Sequence, residues 1–193
     1  MSYDEDEYAR YVDGKWFEEK SARLPKDWQR EREKWSKSRD FGNEFRNGMC
    51  HLLGRTQETG WAIENYYKSD AGKCFHDAAH PVAQHAMEFK AGSIGKDAML
   101  QLKKDARAIR DGWTIEWFTA PGARIDSAVA EKIRELSARY PDRFTVVEVT
   151  KEQFVQAIQI GRELSRQREA QQVQKAREIE LAQNIEAARS QES

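Results

Sequence analysis

The chain has 193 residues, enough for one domain with a hydrophobic core and some additional helix, but too few for two full domains. Its 32 Lys and Arg residues nearly balance its 33 Asp and Glu residues, so overall charge does not favour nucleic-acid binding and any such contact needs a local patch. The sequence contains no apolar run of about 18 residues and begins with an acidic segment, so we expect no membrane span and no classical signal peptide.

The first 38 residues are dense in charged and aromatic side chains and predict a helical N-terminal extension, residues 1–38. Pro25 fits the first turn of a helix that ends near Ser38. A second helix is predicted from Asp40 to a stop at Gly54. Its apolar residues recur at helical spacing and are Phe41, Phe45, Met49 and Leu52.

The pattern then changes to that of β-strands. Residues 61–68 alternate and are rich in aromatic and β-branched side chains. Two further short apolar runs, residues 73–78 and 83–92, are separated by Pro81, which favours a turn. We therefore expect three consecutive antiparallel strands.

The rest of the chain alternates helix and strand. Residues 95–112 carry one apolar stripe and predict a helix, followed by a strand at 113–120. A helix over about 129–140, a strand at 144–150 and a long proline-free helix at 152–190 complete the order. The prediction is an α/β fold, a mixed sheet with helices on both faces at residues 39–150 and a helical tail at 151–193.

The residues best suited to chemistry lie on the second and third predicted strands. Glu88 and Lys90 are two apart and share a face of one strand, while Met87 and Phe89 point to the other face. If Asp77 lies on the adjacent strand, its carboxylate and that of Glu88 can bind one Mg²⁺ or Mn²⁺. Lys90 would then position or help deprotonate the attacking water during phosphodiester hydrolysis.

The string "FHDAAHPVAQHAMEFKAG", residues 75–92, resembles the restriction-endonuclease-like PD-(D/E)xK nuclease superfamily. Asp77 matches its first acidic position, and Glu88 and Lys90 match its ExK positions. The resemblance covers roughly residues 40–120 and implies a core of helix, three strands, helix and strand, with Mg²⁺-dependent cleavage of DNA or RNA. It also implies supporting roles for Glu44 and Gln101, and one departure is His76 where the family has proline.

The segment after ExK looks like the second helix of nuclease domains found in bacterial polymorphic toxins, so a toxin or defence nuclease is expected rather than a repair enzyme. Residues 88–110 carry six Lys and Arg against three Asp and Glu. Four of these cations are predicted to bind nucleic-acid phosphates, namely Lys96, Lys103, Lys104 and Arg107. An inhibitory (immunity) protein or a larger assembly would bind through the tail. The protein would act in the cytoplasm or be delivered to a target cell by a dedicated export system.

Three alternatives stay open. Glu88 and Lys90 can be surface charges that stabilise a sheet by about 0.2–1 kcal/mol. The chain can keep the fold without the chemistry and act as an interaction protein through residues 1–38 and its tail. A zinc site can form from His76, His80 and His85 with Cys74 and Asp77, although their spacing is not that of paired zinc ligands, and ordinary loop histidines are expected instead.

Overall fold

The fold is an α/β structure built on a mixed five-stranded sheet. The computed structural model describes residues 5–17, 21–69 and 72–191. The helices in these ranges are α1 (Glu5–Phe17), α2 (Pro25–Leu52), α3 (Ala98–Arg110), α4 (Ser127–Arg139) and α5 (Lys151–Gln191). The strands are β1 (Ala62–Ser69), β2 (Gly72–His80), β3 (His85–Lys90), β4 (Thr114–Thr119) and β5 (Phe144–Glu148). The predicted α/β class is confirmed.

The strands lie in the sheet in their chain order, β1-β2-β3-β4-β5. β1 pairs with β2 and β2 with β3 in antiparallel orientation, and a tight turn at residues 81–84 joins β2 to β3. β4 is parallel to β3, and β5 is parallel to β4. Helices α3 and α4 make the connections between the parallel strands, as parallel pairing requires a long crossover.

Helices α3 and α4 cover one face of the sheet. Their apolar stripes bury Leu102 and Ile109 from α3, and Val129 and Leu136 from α4. The sheet residues in the same core are Ala79, Ala86, Ile115, Trp117 and Phe144. The helical spacing of these apolar residues explains why each helix forms and which side it buries.

Helices α2 and α5 cover the opposite face. The Phe45 ring lies 5.9 Å from that of Phe89 on β3 and 4.9 Å from that of Phe154 on α5. Gly48 of α2 lies against the backbone of Ala157, so a methyl group there would clash with α5. Because alternate residues of β3 face opposite sides, Phe89 packs under α2 while Glu88 faces α3.

Helix α2 corrects the prediction of two separate helices. It runs without interruption from Pro25 to Leu52, so the predicted break between Ser38 and Asp40 is wrong. Gly42 does not end it because a glycine inside a helix costs only about 1 kcal/mol, less than tertiary packing supplies. The predicted stop is confirmed, with Gly54 in the left-handed conformation at φ 64°.

The chain divides into two compact units, Met1–Phe41 and Gly42–Ser193. In the first unit, the rings of Tyr8 and Tyr11 pack at 5.2 and 5.8 Å from that of Trp28, which is buried. In the second unit, α5 packs on α2 through its first turns and is exposed over residues 166–184. No helix in the described ranges has the length and apolar character needed to cross a bilayer.

Candidate active site

Glu88 lies in the middle of β3 and is buried beneath α3, with 2% of its surface exposed. Its Oε2 accepts a hydrogen bond from Lys90 Nζ at 3.3 Å, and its Oε1 accepts one from Gln101 Nε2 at 3.2 Å. The structure therefore brings three predicted residues together. The alternative that Glu88 is a surface charge is wrong, because α3 covers this face of β3.

Asp105 is the second acid of the site and was not among the predicted catalytic residues. It is fully buried on α3, one turn after Gln101. Its Oδ1 accepts from Gln101 Nε2 and its Oδ2 from Trp117 Nε1, both at 2.8 Å. Trp117 is the register partner of Glu88 on β4, and its ring also lies 4.9 Å from Lys90 Nζ. Gln101 thus links the carboxyl groups of a strand and a helix.

His76 completes a group of three potential metal ligands. It is fully buried on β2, and its Nδ1 lies 3.3 Å from Glu88 Oε1. Ligand atoms of His76, Glu88 and Asp105 all lie within 4.8 Å of one another. The strand predicted at residues 73–78 is confirmed for His76, so the loop position that the zinc alternative expects for the histidines does not apply to it. The four-residue spacing between Gln101 and Asp105 in the sequence already indicates that both can face the metal site, although Asp105 is not among the predicted catalytic residues. The sequence signal for His76 at this site is its adjacency to Asp77.

Asp77 lies next to this group but makes a different contact. Its Oδ2 accepts a hydrogen bond from the backbone N–H of Phe89 at 2.8 Å. The regular register of β2 with β3 ends at Ala78, so this side chain continues the attachment of the two strands. One oxygen of the Asp77 carboxylate therefore helps to hold β3 in place. The group of close ligand atoms contains a carboxylate oxygen of Asp105 rather than one of Asp77.

The strand next to Asp77 is irregular. The register of β1 with β2 includes Ile63 with Ala78 and Asn65 with His76 but skips Glu64. Glu64 has a φ of 54°, a conformation that is unfavourable for a residue with a side chain, and its carboxylate pairs with Arg46 at 3.0 Å. Backbone strain of this kind persists where the surrounding structure enforces it and is frequent near functional sites.

The electrostatics of the site favour bound protons or a bound cation. Burial, together with the nearby Asp77, raises the pKa of Glu88 to about 8. Burial and the neighbouring Glu88 raise the pKa of Asp105 to about 7. Burial disfavours the ammonium of Lys90, but the Glu88 and Asp77 carboxylates outweigh it and raise the pKa of Lys90. Burial lowers the pKa of His76, so its ring is neutral at physiological pH.

The donor set fits a divalent cation. When Asp77, Glu88 and Asp105 are all ionised, three negative charges face the single positive charge of Lys90, which leaves a net charge of −2. Carboxylate oxygens suit Mg²⁺ and Mn²⁺, and a neutral imidazole suits transition metals better than Mg²⁺. A divalent ion would neutralise this excess charge. It would bind the ionised carboxylates, which burial disfavours when no ion is present.

A cleft of about 290 Å³ opens beside the cluster. Lys90 and Gln101, which both contact Glu88, form part of its wall, so these two side chains separate the cleft from the buried carboxyl groups. The remaining lining residues are Ser93, Ile94, Gly95, Asp97, Ala98, Leu100 and Lys104. The cleft thus provides a route by which a substrate group can approach Lys90.

The predicted phosphate-binding cations have different positions relative to the cleft. Lys104 lines it, whereas Lys96, Lys103 and Arg107 are exposed side chains that are not part of its wall. Glu44, predicted as a supporting acid, lies on α2, and its carboxylate accepts a hydrogen bond from Arg162 Nε of α5 at 3.0 Å. Glu44 therefore pairs with a residue of α5, and it is not in the close ligand group among the described residues.

The predicted zinc ligands do not gather at one point among the described side chains. The His85 Nε2 lies 2.7 Å from Glu116 Oε2, a carboxylate that also binds Arg55, on the face covered by α2. The rings of His80 and His85 both pack against Trp61, with ring centroids 5.8 and 5.2 Å apart, whereas His76 contacts Glu88. The Cys74 side chain lies outside the described residues. The other cysteine, Cys50, is buried as a free thiol, and burial raises its pKa to about 12.

Comparison of the chain with protein-family models, with curated proteins and with solved structures finds no match.

Proposed function

We propose that the protein is a divalent-metal-dependent nuclease that hydrolyses phosphodiester bonds of DNA or RNA. The observation that carries this proposal is the contact of Lys90 with the buried carboxylate of Glu88, at 3.3 Å, where a cleft meets a group of potential metal ligands. An ammonium beside a carboxylate-rich cation site is an arrangement suited to a phosphate, which carries negative charge through the reaction.

The order of elements supports a restriction-endonuclease-like fold as part of the same proposal. Helix α2, strands β1 to β3, helix α3 and strand β4 follow the order that the sequence resemblance implies. Glu88 and Lys90 lie on the third strand of that order, and Gln101 lies on the helix after it. These positions support the proposed roles of Glu88, Lys90 and Gln101, whereas Glu44 accepts from Arg162 and Asp77 accepts the backbone N–H of Phe89.

The residues that would hold the ion are Glu88, Asp105 and His76, with Asp77 beside them. A divalent cation bound there would supply Lewis-acid stabilisation of charge on a phosphate. The protein orients these ligands through Gln101, which donates to both carboxyl groups, and through Trp117, which donates to Asp105. Such supporting contacts fix ligand direction and strengthen binding of the ion.

Lys90 would stabilise charge and position the attacking water. Because its pKa is raised, it is an ammonium at neutral pH and cannot serve as the base that removes a proton. In the hydrolysis, the water oxygen forms a bond to phosphorus and one ester P–O bond breaks. The water loses one proton to solvent, and the departing oxygen gains one. Lys90 donates to the phosphate oxygen on which negative charge increases.

A cleavage assay with purified full-length protein tests this function. We expect cutting of DNA or RNA in Mn²⁺ or Mg²⁺, complete inhibition by EDTA, and recovery when excess metal is restored. Lys90→Ala should abolish cutting while the circular dichroism spectrum stays unchanged. Lys132→Ala is the matched control, because Lys132 pairs with Glu135 on the surface of α4 and should keep wild-type activity. Metal-independent cutting, or full activity in Lys90→Ala, would exclude this function.

A further inference from the structure

The reactive groups of the proposed nuclease are recessed below the surface. Glu88 is 2% exposed, and Asp105 and His76 are fully buried. Lys90 retains 25% of its side-chain exposure and forms part of the cleft wall. A scissile phosphate must therefore enter the cleft to reach the cluster. A phosphate on a broad, rigid nucleic acid that stays outside the cleft cannot react.

The cleft accommodates one nucleotide-sized group. Its volume of about 290 Å³ is just below the range of roughly 300–1,000 Å³ that small-molecule sites occupy. A B-form duplex is a rigid body whose major groove alone is about 12 Å wide. A single strand can bend and insert one phosphate with its sugar and base, because its backbone is flexible and its bases are not held by pairing.

The rim of the cleft offers an apolar surface next to a cation. Leu100 is 61% exposed on α3, and Lys104 lies one turn further along the same helix. An exposed leucine can contact the face of an unpaired base, whereas the bases of a duplex are stacked and cover those faces. Lys104 and Lys90 provide positive charge that attracts phosphates. The carboxylate of Asp97, which also lines the cleft, reduces this attraction.

We propose that the cleft formed by Lys90, Leu100, Gln101 and Lys104 selects single-stranded nucleic acid and excludes intact duplex. This inference rests on the proposed nuclease function and adds its substrate class. Leu100 contacts a base, Lys104 binds an adjacent phosphate, and the scissile phosphate lies in the cleft against Lys90. A duplex with an unpaired overhang is cut within the overhang.

The test compares one labelled oligonucleotide as a single strand, as a blunt duplex and as a duplex with a long overhang, in Mn²⁺. We expect the single strand to be cut at least about tenfold faster than the blunt duplex, because opening a duplex costs a few kcal/mol. Cuts in the third substrate should fall in the overhang. Equal or faster cutting of the blunt duplex would overturn this inference and leave the nuclease function intact. If no substrate is cut, both fail.

Two substitutions test the assigned contacts. Leu100→Asp and Lys104→Ala should each raise the KM for the single strand at least about threefold, with kcat changed less, since both residues contact parts of the substrate away from the reacting atoms. Leu181→Asp is the matched control, because Leu181 is also 61% exposed but lies on the tail. An unchanged KM in both cleft variants, or the same rise in the control, would contradict the assignment.

Discussion

Glu88 of β3 and Asp105 of α3 share one hydrogen-bond donor, the side-chain amide of Gln101, at 3.2 and 2.8 Å. Replacing Gln101 with Ala leaves two buried carboxyl groups without this link. We expect the affinity for Mn²⁺ to fall by about 10- to 100-fold, as for other residues that orient metal ligands. Titration calorimetry measures the change. Gln167→Ala is the control, since that amide bonds a carboxylate on the exposed part of α5 and should leave the affinity unchanged.

The chemistry of the potential ligand atoms predicts which divalent ion the site binds more tightly. Because His76 offers a nitrogen beside two carboxylates, Mn²⁺ should bind more tightly than Mg²⁺, and His76→Asn should narrow that preference. Competition titrations of both ions with the two proteins measure it. His85→Asn changes a histidine on the opposite face of the sheet and should not alter the preference. Equal preference in wild type and His76→Asn would remove His76 from the ligand set.

Stability without metal should fall as the pH rises. The folded pKa of Glu88 is about 8 against an ordinary 4.5, and that of Asp105 is about 7 against 3.8. The folded state therefore binds more protons between these values, so the stabilisation is complete below about pH 4 and is lost as the pH rises through 7 and 8. The slope near pH 6 is at most about 1.4 kcal/mol per pH unit for each group.

Urea unfolding in EDTA at several pH values between 5 and 8.5 measures this dependence. Glu88→Gln should flatten the curve, because a neutral amide has no proton to lose. Excess Mn²⁺ should reverse the wild-type trend, since the ion binds the deprotonated carboxylates more tightly at high pH. A wild-type stability that increases with pH in EDTA would contradict the assigned protonation of the site.

Asp77 contributes to stability and to cleavage, and two substitutions separate these contributions. Its carboxylate accepts the N–H of Phe89, a contact that an amide oxygen can replace. Asp77→Asn should therefore retain stability but lose most cleavage, whereas Asp77→Ala should also lower the free energy of unfolding by about 1–3 kcal/mol. Denaturation and cleavage measured on both variants separate the contributions. Full activity in Asp77→Asn would show that Asp77 serves the fold alone.

Close packing of α2 on α5 gives a prediction about the fold. Gly48→Ala places a methyl group against the backbone of Ala157 and should lower stability by about 1–3 kcal/mol or more. Gly42→Ala, in the same helix with open space around it, should raise stability by up to about 1 kcal/mol. Thermal unfolding of the two variants measures both effects. A similar shift in the melting temperature of the two variants would contradict the close packing of Gly48 against α5.

Local periodicity was enough to predict most elements of this fold. The alternation in residues 61–68 and the stripe of α3 are properties of single segments, and they predicted β1 and α3 to within a few residues. The continuity of α2 could not be predicted in the same way. Its stretch around Gly42 is weak in helix formers, and packing against the sheet and α5 holds the helix together.

The site was only partly predictable for a related reason. Residues two apart on a strand share a face, so the pairing of Glu88 with Lys90 follows from the sequence. The burial of Asp105 depends on the contacts of α3 with Glu88 of β3 and Trp117 of β4, tertiary contacts that no local pattern contains. A polar residue on a helix face is ordinarily solvated, and only the fold makes Asp105 part of a charged cluster.

The most direct measurement of the central claim is cleavage of single-stranded DNA and RNA in Mn²⁺ by wild type, Glu88→Gln and Glu116→Gln. Glu88 is buried and Glu116 is half-buried, and they lie on the neighbouring strands β3 and β4. Glu116 binds Arg55 and His85 on the face of the sheet opposite to that of Glu88. We predict that Glu88→Gln cuts at least about 100-fold more slowly than wild type, and that Glu116→Gln cuts at a rate close to it. Wild-type rates in Glu88→Gln, with the fold intact, would contradict the claim.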